Sequence, residues 1–259
     1  MRYLILMAYV LALAARAEAS AVGGLARVNV VDRDSGAALP TYYSRGEYWV
    51  AGNPGARYAI EIRNCAGGRL LAVTSVDGLN VLSGDTAGFD QAGYVFDPGE
   101  RYQITGWRKS NSEVAAFIFT DSRSSYAERT GRPANVGVIG VALFREQPQP
   151  VNAPPRVADR ALAESASAMG GLQGAPAAKA QAPAERLGTG HGEREYSYVV
   201  DTQFHRMQPQ PNEVIRIRYD SLENLVAMGI IRNPRAMPRT PDAFPSSEQR
   251  HFVPDPPGG

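Results

Sequence analysis

Asp77, Asn80, Trp107 and Arg108 form the candidate ligand-binding set of this chain. Asp77 and Arg108 fall beside turns or strand ends, where loops present functional groups on a rigid scaffold. Asp77 and Arg108 carry opposite charges, Asn80 can both donate and accept, and Trp107 offers a flat apolar face. Each also has a plainer role: Asp77 can shape a turn, Trp107 can pack, and Arg108 can make a modest surface pair.

Other residues invite chemistry less directly. Gly188-Thr189-Gly190-His191-Gly192-Glu193 reads as a glycine-rich loop. A phosphate-binding loop follows a strand and opens a helix. Here a Pro/Ala-rich stretch precedes the glycines and a strand-like run, Tyr196 to Val200, follows them, which argues against nucleotide binding. His191 with Glu193 could enter a metal or acid/base site, or His191 could simply occupy a turn. Asp32-Arg33-Asp34-Ser35-Gly36 has two carboxylates at i and i+2, but it lacks the Gly and the late Glu of an EF-hand loop, so it is expected as a hairpin turn. Cys65 is the sole cysteine, which leaves no internal disulfide, and burial as a small apolar side chain is the expectation. Tyr42, Tyr43, Tyr48 and Trp49 could form a binding platform or be core residues. There is no Gly-x-Ser-x-Gly, His-Glu-x-x-His or Cys-x-x-Cys. Triads are defined by geometry rather than order, so this removes support for an enzyme without excluding one. No catalytic residue, metal ligand or cofactor is assigned.

These residues need elements to hold them. From Arg57 to Glu146 the chain reads as short strands cut by turns, with no helical period. Tyr58 to Arg63 alternates with a period of two, which gives one buried face and one wet face. Leu70 to Val76 is denser in apolar residues, as expected where both faces are partly covered. Asp77-Gly78 and Asp97-Pro98-Gly99 are turns. Tyr94 to Phe96, Arg101 to Arg108, Val114 to Phe119 and Val136 to Phe144 supply further strands, and Leu25 to Val31 supplies a first one. Strands at this spacing without intervening helices predict a mainly β fold, an antiparallel β-sandwich of jelly-roll-like form.

The ends differ in character. Met1 to Ala19 has a basic start, an apolar run and Ala17-Glu18-Ala19, the pattern of a cleaved signal peptide. The expected organisation is therefore a signal peptide at 1–19, a β-domain at 20–146, a disordered Pro/Ala-rich linker at 147–186, a C-terminal strand-helix segment at 187–233 and a disordered tail at 234–259. In the C-terminal segment, Glu213 to Tyr219 alternates as a strand. Asp220 with Glu223 fits a capping box, and Gly229 fits a helix stop. A strand and a helix this short must dock on something, in cis or in trans.

The chain carries 27 Lys+Arg against 26 Asp+Glu. Nucleic-acid binders need a basic excess or stripe, and none is visible. After signal cleavage no segment is apolar and long enough for a helical membrane span.

Two patterns are shared with known proteins. One runs Val76-Asp77-Gly78, Gly93-Tyr94, Gly106-Trp107-Arg108, Phe117-Ile118-Phe119 and Val136 to Gly140. The other runs Gly188 to Glu193, Phe204, Ile217, Tyr219-Asp220-Ser221 and Gly229-Ile230. Together they resemble a group of uncharacterised secreted proteins of Gram-negative proteobacteria, over about two thirds of the chain. The resemblance implies a periplasmic or secreted address and a β-domain paired with a C-terminal segment, and it supplies no catalytic residues.

The expected function is a non-catalytic protein-protein binding or assembly module outside the cytoplasm, with another envelope protein or a surface glycan as partner. A carbohydrate- or small-ligand-binding sandwich using Tyr42, Tyr43, Tyr48, Trp49 and Trp107 is the alternative. A hydrolase or metal enzyme using Asp77, Arg108 and His191 or Glu193 is the third reading.

Overall fold

The computed structural model describes residues 21–148 and 186–232. The signal peptide, nearly all of the linker and the C-terminal tail expected above lie outside the described residues.

Two sheets pack face to face around one apolar core, a mainly β sandwich as the strand spacing predicted. The first contains β1 (Ala26–Asp32), β4 (Arg57–Asn64), β8 (Arg101–Ile104), β9 (Gly106–Arg108), β10 (Glu113–Asp121) and β12 (Leu187–Tyr196). The second contains β2 (Thr41–Ser44), β3 (Glu47–Gly52), β5 (Leu70–Val76), β6 (Leu79–Asn80), β7 (Tyr94–Phe96), β11 (Val138–Arg145) and β13 (Glu213–Ser221). On β4 the alternation sends Tyr58, Ile60 and Ile62 inward, where they join Phe117 and Phe119 of β10. Across the core lie Val76, Ile139, Val141, Ile217 and Tyr219 of the second sheet. β5 is covered on both faces: Leu70, Ala72 and Val76 enter the main core, while Leu71 and Val73 join Ala142 and Phe144 in an outer cluster.

The segment 187–232 belongs to both sheets, so it docks in cis. β12 pairs antiparallel with β10. β13 lies between β3, to which it is parallel, and β11, to which it is antiparallel. The second sheet is therefore completed by the last described strand of the chain.

Several local expectations are corrected. The glycine-rich stretch 188–192 is the first half of β12, not a loop. Its glycines serve close packing: a Cβ on Gly188 would stand 2.7 Å from Ser125 Cβ, and one on Gly192 would stand 2.6 Å from Ile118 Cδ1. Arg101 to Arg108 is two strands, with β8 on β4 and β9 on β10. The chain crosses so closely that a Cβ on Gly106 would lie 2.1 Å from the Ala115 carbonyl oxygen. β12 ends at Tyr196, and Ser197 to Met207 forms an irregular strap instead of a strand. The strap is tied at one end by Val199 N–H to Asn111 O and at the other by Met207 N–H to Arg145 O. The helix after β13 is α2 (Leu222–Ala227), and its cap is Ser221, whose Oγ accepts from Asn224 N–H, rather than Asp220. A short α1 (Tyr126–Arg129), capped by Ser125, was not foreseen.

Cys65 is exposed rather than buried. Asn64 continues the inward set of β4 and occupies the buried position, which turns Cys65 outward. The Asp32 turn forms as expected: Asp32 Oδ1 accepts from Ser35 N–H and Ser35 Oγ. Those bonds hold its carboxyl below the usual range. Of the early aromatics, Tyr43 is 67% exposed and Tyr48 37% exposed, so neither is a core residue.

Candidate functional site

Asp77 is fully buried at the β5–β6 turn, with φ of 53°. Asp is among the few non-glycine residues that accept this backbone region, and Gly78 follows with φ of 77°. The carboxylate faces inward and joins the two sheets. Oδ1 accepts from Gly137 N–H at 2.9 Å and from the Tyr219 hydroxyl of β13, and Oδ2 accepts from Thr189 N–H of β12 at 2.8 Å. Thr189 Oγ1 lies 2.6 Å from both the Tyr219 and Tyr58 hydroxyls. Each hydroxyl has one proton, and that of Tyr219 goes to Asp77. The chain of donation therefore runs Tyr58 to Thr189 to Tyr219 to the carboxylate. Burial pushes the Asp77 pKa up to about 6, against the opposing pull of Tyr219 and of the Thr189 and Gly137 N–H groups. Burial, followed by the neighbouring Asp77 charge, raises both tyrosines well above their usual range.

Asn80 is also buried. Its Nδ2 donates to Gln91 Oε1 and Ala92 O, and its Oδ1 accepts from Leu82 N–H, which fixes the loop between β6 and β7. Trp107 is 2% exposed, donates to Gly190 O at 3.3 Å and stacks edge-on against Phe117. Arg108 reaches outward from the same strand. Its guanidinium donates to the Tyr94 hydroxyl at 3.0 and 3.2 Å and to the Ser197 carbonyl and hydroxyl oxygens.

The structure does not bring these four together as one site. Asp77, Asn80 and Trp107 point into the protein, and Asp77 and Arg108 share no hydrogen-bonding partner. His191 lies on the exposed side of β12 with its ring 5.8 Å from that of Tyr126. Burial and the nearby Lys109 lower its pKa. Among the described residues no group of three or more His, Cys, Asp or Glu is arranged to hold a metal ion.

Arg108 is the exception, because it forms part of the wall of a real cleft. This cleft, of about 670 Å³, lies between the segment running from β7 to β8 and the strap. Tyr94 and Tyr102, with rings 5.9 Å apart, line one side, and Tyr198 to Thr202 line the other. Arg69 closes one end, held by Glu146, Thr202 and the Gln203 carbonyl. Comparison of the chain with known protein families, with characterised proteins and with solved structures finds no match. Function must therefore be argued from this geometry.

Sequence reasoning missed Asn64, Thr189, Tyr219 and the strap. Asn64 is 1% exposed and donates to the carbonyls of Gly68, Phe96 and Asp97. An asparagine at an inward strand position was a usable signal for it. Nothing local pointed to Thr189, whose partners are all distant in sequence.

Proposed function

We propose that this chain is a non-catalytic binding and assembly protein that works in the periplasm or outside the cell. The address is supported by the Met1–Ala19 pattern and by the resemblance to secreted proteins. Asp77 and Arg108 have their hydrogen-bonding capacity used by the fold, which favours a binding role.

The observation that carries the reading is the free edge of the second sheet. β2 is the terminal strand there and pairs on one side only among the described residues. Tyr43 and Tyr48 stand beside that edge with ring centroids 5.0 Å apart. An exposed strand edge offers unpaired N–H and C=O groups to an incoming strand, and tyrosine is enriched in interface hot spots. β13 is paired on both sides within the second sheet and offers no edge, so the contact is assigned to β2.

The test is a pull-down from periplasmic and outer-membrane fractions with full-length protein, set beside the double variant Tyr43→Asp/Tyr48→Asp. A partner retained by wild type alone, whose purified complex is at least ~10-fold weaker with the variant, is the expected result. Identical recovery with both proteins would sink the assignment.

A further inference from the structure

We propose that the cleft beneath the strap is a binding site for a neutral oligosaccharide. The inference is independent of the β2 edge and uses none of its residues. The cleft volume of about 670 Å³ falls in the ~300–1,000 Å³ range of small-ligand sites. It opens to solvent and Arg69 closes one end, so a chain of sugar units can lie along it and leave at the other.

Its chemistry is that of sugar recognition. The Tyr102 ring supplies an apolar face within the wall, Tyr94 beside it is buried under the Arg108 guanidinium, and Tyr198 is a 60% exposed ring at the mouth. A pyranose presents a flat C–H face to such rings and a rim of hydroxyls to polar groups. Asp97, Glu100, Asn111 and Asp201 line the same space. Each carboxylate has one oxygen engaged: Asp97 Oδ1 with Arg69, Glu100 Oε2 with Asp97 N–H, and Asp201 Oδ2 with Asn111. The second oxygen of each has no hydrogen-bonding partner among the described residues, and so remains free to accept from sugar hydroxyls.

Charge disfavours anionic ligands. An anionic ligand would face three carboxylates. The two cations that could offset them are committed, Arg108 to Tyr94 and Ser197 and Arg69 to Glu146 and the strap. In each carboxylate the oxygen that fixes the wall is thus distinct from the oxygen left free to bind. Arg108 and Tyr102 both hold Ser197, so the mouth is positioned before any ligand arrives.

The experiment is isothermal titration of full-length protein with cellotetraose, chitotetraose and maltotetraose, with tetragalacturonate as the anionic control. Tyr198→Ala and Asp201→Asn are titrated in parallel. Both positions are exposed, and their loss should leave the melting temperature unchanged. The expected result is saturable binding of at least one neutral tetrasaccharide, weakened about 10-fold or more by Tyr198→Ala, with tetragalacturonate inert. No heat from any neutral sugar at about 10 mM, or equal binding by wild type and both variants, overturns the proposal. Preference for tetragalacturonate overturns it as well.

Discussion

At the scale of the residue, Asp77 carries the most consequence. Its carboxylate is buried and accepts from both sheets, and its pKa is raised from 3.8 to about 6. The folded protein therefore holds this proton more tightly than the unfolded chain does. The contribution of Asp77 to stability is full below about pH 4 and is lost as pH rises through about 6, a swing of up to about 3 kcal/mol. In Asp77→Asn the swing disappears, and the new amide must point N–H groups at existing donors. The stability gap between wild type and Asp77→Asn should widen as pH falls from 7 to 4, as measured by urea denaturation at each pH; a gap independent of pH would contradict this titration. Trp107→Ala should cost about 3–5 kcal/mol in the same assay, because the ring is enclosed by Phe117 and Tyr126. The sequence marked both positions as special but could not say why. A turn aspartate and a strand-end tryptophan look alike whether they face a ligand or a core, and only the partners at Thr189 and Tyr219 decide.

At the scale of the element, strands with a period of two were legible and those built on close approach were not. β4, β5, β10 and β11 announce themselves through alternating or dense apolar side chains. β12 hides behind its glycines, which signal a loop by composition and a tight interface by geometry. Gly192→Val would set a Cβ 2.6 Å from Ile118 Cδ1 and 2.9 Å from Ala116 O, and should destabilise the protein by roughly 1–3 kcal/mol. Gly67→Ala meets nothing within 4 Å and should leave the melting temperature nearly unchanged. Thermal melts of the two variants distinguish packing from turn chemistry: equal shifts would mean that β12 does not seat as described. Tyr198-Val199-Val200 has strand composition, yet the strap is not a strand. It is held instead by four backbone hydrogen bonds and the Arg108, Arg69 and Arg206 side chains, and that is what leaves a cleft beneath it.

At the scale of the molecule, the two-sheet sandwich was predictable, but the place of the C-terminal segment within it was not. Local pattern shows that 213–221 is a strand; nothing local shows that it lies between β3 and β11. The burial of Ile215, Ile217, Tyr219 and Leu225 holds it there without help from the covalent connection. A protease site introduced within 149–185 should, once cut, leave two fragments that co-elute on native gel filtration and part only in denaturant. Separation in native buffer would refute this account of what holds the segment. The same position of β13 bears on biosynthesis. Tyr48 of β3 must wait for Ile217, about 170 residues later, before that edge is paired, so the sheet is among the slowest kind to form. At ordinary translation speeds of about 5–20 residues per second, the ribosome works for roughly 10–30 s while the second sheet stands open. The second sheet thus cannot close until the segment carrying Ile217 has been made.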